Sequence, residues 1–404
     1  MPPKQSSINR PLALSIVALG LITFAIGQTI LFAVLGPIGR LIGLTEIQVG
    51  SITSASALTI ALVSPFWGRR STEWGRRRVI VIGLVAYGLT TAAFTWVAWI
   101  GMREVLGVAA VFYMLIAVRL VYALLSAGIQ PAATAYIADM TSGRERAAGL
   151  ALVGGALALG SVLGPAMTLL SVFGILVPLL AAAALALGGG LITLFLLPHG
   201  KRTSRIRQKP SLRFWDRHAF PFLALMFVML VIGSSTQLTA AFYIQDLLGV
   251  SESYTTRLVG VAMAASAIAM IVAQGGIVQI FRPSSALLLR SGLALAAAGF
   301  GVLILAEIYL WLVVGYVIIG LGTGLLVPGI LSAGSLSVDE DHQGDIAGLM
   351  GAAQASGFVV GPLIGTLLYE QFPLLVFYVN GGLALLLFAV VMMMRFPRAA
   401  RGHA

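Results

Sequence analysis

The chain has 404 residues, 59% hydrophobic and 10% charged, whereas roughly a quarter of the residues of a soluble domain are charged, so lipid must be the solvent for most of it. A net charge of +11 would suggest nucleic acid in a soluble protein, but here the placement of the basic residues argues orientation instead. With no cysteine, disulfides, thiolate metal sites and cysteine nucleophiles are excluded.

Apolar runs bounded by charges or turn residues predict twelve spans, at residues 12–36, 46–66, 79–101, 107–138, 148–172, 174–198, 220–246, 256–280, 287–306, 311–335, 346–369 and 374–394, each long enough to cross about 30 Å of hydrocarbon. The fold class expected is an all-α integral membrane protein of twelve transmembrane helices. The first run follows Lys4 and Arg10 and is too long for a secretory signal, so it is read as a retained span. The fifth and sixth runs are separated only by Val172-Phe173-Gly174.

The longest polar stretch, His199 to His218, carries Lys201, Arg202, Arg205, Arg207, Lys209, Arg213 and Arg217. It divides the spans six and six, giving a bundle over 1–198, a basic linker over 199–219 and a second bundle over 220–404. The linker reads as a solvated cytoplasmic connector, the alternative being a basic segment lying on anionic lipid. With the N-terminus in the cytoplasm, all but four of the 25 Lys and Arg fall on that side. The outer loops keep Arg40, Arg103 and Arg257, and Arg119 lies inside the fourth span. The positive-inside rule then puts both termini in the cytoplasm. The two asparagines, Asn9 and Asn380, open no glycosylation acceptor, and with the short loops this favours a bacterial inner membrane.

An internal repeat supports the division. Ala148-Gly149-Leu150 leading to Gly160-Ser161-Val162-Leu163-Gly164-Pro165 is echoed by Ala347-Gly348-Leu349 leading to Gly357-Phe358-Val359-Val360-Gly361-Pro362. Two halves related by an axis along the membrane normal are a known transporter architecture.

Three motifs stand out in chain order. The first, after the second span, is Gly68-Arg69-Arg70-Ser71-Thr72-Glu73-Trp74-Gly75-Arg76-Arg77-Arg78. It resembles the loop between the second and third spans of the major facilitator superfamily, Gly-x-x-x-Asp-Arg-x-Gly-Arg-Arg, with Gly68, Gly75, Arg76 and Arg77 in register. Its glycines permit a tight turn and its arginines can reach helix carbonyl ends and headgroups. The family's aspartate falls on Thr72 and the next basic position on Glu73. In the family that acid latches the two halves, so either Glu73 takes over or the latch is weaker. The second motif surrounds Arg119 and resembles the superfamily's fourth-span motif around a buried arginine. A cation at this depth is a functional-site hypothesis by default. Tyr122, Ser126 and Gln130 follow at i+3, i+7 and i+11, which makes one helical face a polar stripe. The third, Gly160-x-x-x-Gly164-Pro165, resembles the fifth-span motif of drug:proton antiporters, without its trailing glycine pair. Small residues four apart let helices approach closely and proline permits a bend.

The resemblance implies the major facilitator fold, two six-helix bundles related by a pseudo-twofold, and export by alternating access. In the superfamily the first, fourth, seventh and tenth spans line the cavity. That favours Phe24, Gln28, Arg119, Tyr122, Ser126, Gln237 and Tyr316 as substrate contacts, with Gln354 on the eleventh span as a further polar residue. Gly68, Thr72, Glu73, Gly75, Arg76, Arg77, Gly160, Gly164, Pro165, Gly361 and Pro362 make up the conformational motifs.

All fourteen acidic residues lie near span ends. A carrier that exchanges protons for cationic drugs wants a buried carboxylate with a raised pKa, and none is offered. Arg119 is the ionisable residue at mid-membrane; it stays protonated and pairs bidentately with carboxylates or phosphates. A neutral or anionic cargo follows. Three functions stay open: proton-coupled multidrug-type efflux, export of an anionic metabolite or carboxylate siderophore, and an uptake symporter. Proton coupling either runs through edge acids such as Asp246 or Asp139 or is unnecessary. A small-molecule substrate, protons and membrane lipids are the expected partners of a monomer. No cofactor, metal, nucleic acid or enzymatic activity is expected, and the four histidines (His199, His218, His342 and His403) all fall in polar segments.

Overall fold

The structure is a computed structural model that describes residues 10–141, 145–198, 212–339, 342–394 and 396. Among the described residues twelve helices are long and apolar enough to cross a membrane, and no strand is present. They are α1 (Arg10–Ile42), α2 (Glu46–Trp74), α3 (Arg76–Met102), α4 (Val108–Met140), α5 (Ala148–Phe173), α6 (Val177–Leu196), α7 (Phe220–Leu248), α8 (Glu252–Phe281), α9 (Ser285–Ile304), α10 (Tyr309–Leu336), α11 (Gln343–Gln371) and α12 (Leu375–Met393).

The spans match the apolar runs in number, while several ends move. The α1 helix runs through Pro37 to Ile42 rather than stopping at 36. The α2 helix continues to Trp74 rather than ending at 66, so Gly68 is helical and forms no turn. The turn falls on Gly75, whose φ of +93° suits a residue without a Cβ. The start of α2 is fixed by a capping box: the Thr45 hydroxyl accepts from the Gln48 N–H, and the Gln48 side chain accepts from the Thr45 N–H at 2.9 Å. At its end α5 tightens into a 3-10 turn over Thr168–Phe173 and the chain reverses at Gly174, at φ +138°. The sixth helix therefore begins at Val177, three residues after the expected boundary.

The α4 helix is interrupted. Its segments Val108–Ser126 and Ile129–Met140 meet at Ala127 and Gly128. Pro131 accounts for the break: it has no N–H to give the Ala127 carbonyl, and its ring crowds that oxygen. The polar stripe expected from Arg119 to Gln130 is broken with it, and Gln130 ends up exposed.

The chain divides into two compact units, Met1–Ile206 with Val250–Gly260, and Arg207–Gly249 with Val261–Ala404. Within the first, α1 packs on α5 and α6, α3 on α4 and α6, and α2 on α4. Leu21, Leu84, Tyr87, Tyr122, Ile129 and Tyr136 are central to its core. Within the second, α7 packs on α11 and α9 on α10 and α12, around Leu223, Met226, Leu289, Leu293 and Ile330.

The small residues of the repeat sit at these seams. A Cβ on Gly160 would stand 2.8 Å from the Ile22 carbonyl of α1, and one on Gly164 2.6 Å from that of Ile26. In the second unit a Cβ on Gly357 would stand 2.8 Å from the Phe227 carbonyl of α7, one on Gly361 2.7 Å from that of Val231, and one on Gly365 2.7 Å from the Ser235 Cβ. Lipid tails give helices no hydrophobic reason to associate, so backbone approach of this kind supplies the packing instead.

Candidate functional site

The first unit holds one buried cation within its spans among the described residues. Arg119 is 7% exposed, and its Nε donates to the Ser56 hydroxyl of α2 at 3.2 Å. That hydroxyl donates on to the Ile52 carbonyl at 2.8 Å. The guanidinium lies over the Tyr122 ring at 4.1 Å from its centroid, one helical turn further along α4, where the ring quadrupole offsets part of the cost of burying charge. Tyr122 leans on Tyr87 of α3, with ring centroids 5.3 Å apart, and Tyr87 meets Phe24 of α1 edge to face at 6.1 Å. No acidic side chain among the described residues forms an ion pair with Arg119.

Beside the guanidinium is a cavity of about 10 Å³, lined by Gly27, Leu31, Tyr87, Thr91, Phe94, Arg119 and Leu179. That is the space of a single water. Three polar groups of the same unit are buried without a hydrogen-bond partner among the described residues, the Gln28 Nε2, the Ser54 hydroxyl and the Tyr122 hydroxyl. An unpartnered buried polar group costs about 1–3 kcal/mol, which an incoming acceptor or donor would recover. The guanidinium beside an aromatic wall presents a fork of donors whose chemistry suits a carboxylate or other acceptor oxygen.

The sequence-predicted residues separate into groups. Arg119 and Tyr122 are in direct contact, Phe24 and Gln28 are half-buried on α1, and Phe24 touches Tyr87. Ser126 belongs to a helix seam, since its hydroxyl donates to the Gly83 carbonyl of α3 at 3.2 Å. In the second unit Tyr316 is buried with its hydroxyl unpartnered, Gln237 is half-buried and Gln354 is exposed. Asn380 donates to the Ser235 and Thr236 hydroxyls, each at 2.9 Å.

Sequence reasoning missed Ser56, Tyr87, Thr91, Phe94 and Leu179. The expectation limited the lining of this unit to α1 and α4, but α3 and α6 also wall the cavity and α2 supplies the hydrogen bond to Arg119. A signal was present on α3, where Tyr87, Thr91 and Phe94 recur at i, i+4 and i+7 on one face.

At the far end of α2 the basic loop is tightly engaged. Arg76 donates to the Ser71 hydroxyl, to Thr72 at 3.0 Å and to the Asp139 carboxylate of α4 at 3.4 Å. Arg77 donates to the Leu194 carbonyl in the last turn of α6, where the helix dipole favours a cation. Glu73 pairs with Arg70 on its own helix at 2.6 Å. Within this unit the acid that meets the motif's arginine is thus Asp139, and Thr72, in the register of the family's aspartate, accepts from the same arginine. Such partly exposed pairs contribute at most about 1 kcal/mol each.

Comparison with known proteins agrees with this architecture. The profile described as Major Facilitator Superfamily matches residues 17–362. Multidrug resistance protein 2 of Bacillus subtilis (strain 168) is 24% identical over 386 residues, covering 91% of this chain and 91% of that protein. The class C tetracycline resistance protein of Escherichia coli is 28% identical over 337 residues, covering 79% of each. Among solved structures, a bacterial homologue of the human lysosomal transporter Spinster, inward-facing and occupied, superposes with a TM-score of 0.74 at 15% identity, over 98% of this chain and 100% of that one.

Proposed function

This chain belongs to the major facilitator superfamily of multi-pass membrane transporters, and on that premise we propose that it exports small amphipathic compounds by alternating access. The observation that carries the reading is Arg119: a buried guanidinium with one hydroxyl partner, no acidic partner among the described residues, and an aromatic wall beside it. The multidrug and tetracycline resistance proteins among its relatives support efflux of amphipathic compounds. In this reading Arg119, Tyr122, Phe24 and Gln28 hold cargo within the first half. The protein works as a monomer in a bacterial inner membrane with both termini cytoplasmic, as the basic loops argue.

The charge on Arg119 selects neutral or anionic cargo over cations. A second reading, export of an anionic metabolite or carboxylate siderophore, rests on the same guanidinium, whose planar fork matches a carboxylate. Leaving a negative cytoplasm is downhill for an anion by about 2.3 kcal/mol per charge per 100 mV. Where protons are coupled, edge acids carry them. Asp246 accepts from the Tyr369 hydroxyl at 2.5 Å, and Asp139 meets Arg76.

Proteoliposomes with separately imposed pH and voltage gradients test the assignment. Fluorescein, an aromatic carboxylate, and tetracycline should be moved by the wild type and not by Arg119→Ala. Ethidium efflux driven by a pH gradient alone, undiminished in Arg119→Ala, would sink the proposal for the cargo's charge. Accumulation of cargo on the cytoplasmic side would make the protein an uptake symporter.

A further inference from the structure

The break in α4 frees a backbone oxygen. The Ala127 N–H reaches the Ala123 carbonyl at 3.3 Å and the Ala132 N–H reaches that of Gly128 at 3.0 Å, but the helical bond from Gly128 to the Leu124 carbonyl is not made. In a span a freed carbonyl has to find another partner, because hydrocarbon offers none. The partner is the indole N–H of Trp67 on α2, which donates to the Leu124 oxygen at 2.6 Å.

The break is also seated by packing. A Cβ on Gly128 would stand 3.0 Å from the Trp67 Cβ and 2.6 Å from a Val79 methyl. Trp67 immediately precedes Gly68 and Val79 immediately follows Arg78, so the two residues that bracket the basic motif close on the break from either side. The same α2 helix grips α4 again about three turns away, where Ser56 accepts from Arg119. Beyond the break, the second segment of α4 is tied to the motif through Asp139 and Arg76. Arg119 lies five residues before Leu124, on the segment whose direction the break sets.

We propose that Trp67 is a positioning residue for Arg119, its indole N–H holding α4 broken so that the guanidinium stays between Ser56 and the Tyr122 ring. Without that donor the Leu124 oxygen is free to recapture the Gly128 N–H, the break loosens although Pro131 still bends the helix, and Arg119 leaves its seat. The inference rests on reading Arg119 as the group that holds cargo, but its geometry can be tested without any cargo.

Trp67→Phe keeps a ring and removes the N–H. Pro131→Ala restores the missing backbone donor, so α4 can close even with Trp67 present. The readout is the rate at which phenylglyoxal modifies Arg119 in the full chain in nanodiscs, followed by peptide mass spectrometry. Each variant should speed modification about fivefold, the scale of one lost hydrogen bond, and the double variant should do no more than either alone, because both act through one break. Multiplicative rates in the double variant, or an unchanged rate in Pro131→Ala, would overturn the proposal. If Trp67→Phe does not fold, Pro131→Ala alone decides it. In transport, both variants should raise KM for fluorescein and leave kcat little changed, whereas equal loss of flux at all concentrations would mark a merely structural tryptophan. A wild type that moves no fluorescein, together with the expected labelling pattern, would remove the cargo reading and leave the positioning role intact.

Discussion

The two halves of the repeat share one seam and differ at one helix. In the first unit the Thr29 hydroxyl of α1 reaches the Gly160 carbonyl of α5 at 3.4 Å; in the second the Ser234 hydroxyl of α7 reaches the Gly357 carbonyl of α11 at 3.3 Å. The fourth helix of each half tells another story. Pro131 and Pro328 are separated by the same 197 residues as Pro165 and Pro362, and that spacing also makes Tyr316 the counterpart of Arg119. Yet α4 is broken before its proline, while α10 runs unbroken from Tyr309 to Leu336. The second unit's irregularity falls in α8 instead, as a π turn over Ala273–Val278. Duplication has preserved the contacts that assemble each bundle and released the helix that carries its polar group.

The largest effect expected from this comparison is on assembly. Gly160→Leu and Gly357→Leu force a side chain against a neighbouring backbone, and each should cost about 3 kcal/mol, the upper range for overpacking. Thermal unfolding in detergent should show similar losses in both. A variant that destabilises through one half alone would mean that the seam is shared in geometry and not in energy. Next in size is the asymmetry of function. Arg119→Ala removes a charged hydrogen-bonding group and should lower flux about 100-fold, while Tyr316→Phe removes a hydroxyl that has no partner. Tyr316→Phe should change flux by less than about fivefold and raise stability by about 1 kcal/mol, since the buried orphan is gone. Equal losses of flux would erase the distinction between the halves. Smallest, Thr29→Val and Ser234→Ala should each lose at most about 0.6 kcal/mol, the average for an interhelical hydrogen bond in a membrane, because each hydroxyl shares its one proton with a nearer carbonyl of its own helix, Ala25 at 3.0 Å and Leu230 at 2.6 Å; a difference between them in thermal unfolding would sharpen the comparison.

The number of helices could be read from composition because hydrocarbon demands about 20 apolar residues per crossing and tolerates few charges. Helix ends were less legible. The chain around Gly68 to Trp74 is polar enough to read as a loop, yet α2 continues through it, since Arg70 lies over the Phe66 and Trp74 rings and pairs with Glu73. Arg119 announced itself because an ionisable residue at that depth needs a reason. Ser56 and Tyr87 did not, since whether they meet Arg119 depends on how each helix is rotated about its axis, and an α2 or α3 sequence by itself does not fix that rotation. The exposure of Gln130 could have been anticipated from Pro131, one residue later, which interrupts the periodicity that placed it on the stripe.

The glycine seams carry a consequence for how the chain is made. The carbonyls of Ile22 and Ile26 on α1 meet their partners on α5, a segment the ribosome produces only after three further crossings have been threaded. The newborn first helix therefore has to wait in the bilayer, and its eventual mate must find it by sideways diffusion. A surface shaved down to hydrogen atoms is suited to that search, because it presents no ledge on which a late-arriving neighbour could catch before reaching its final depth.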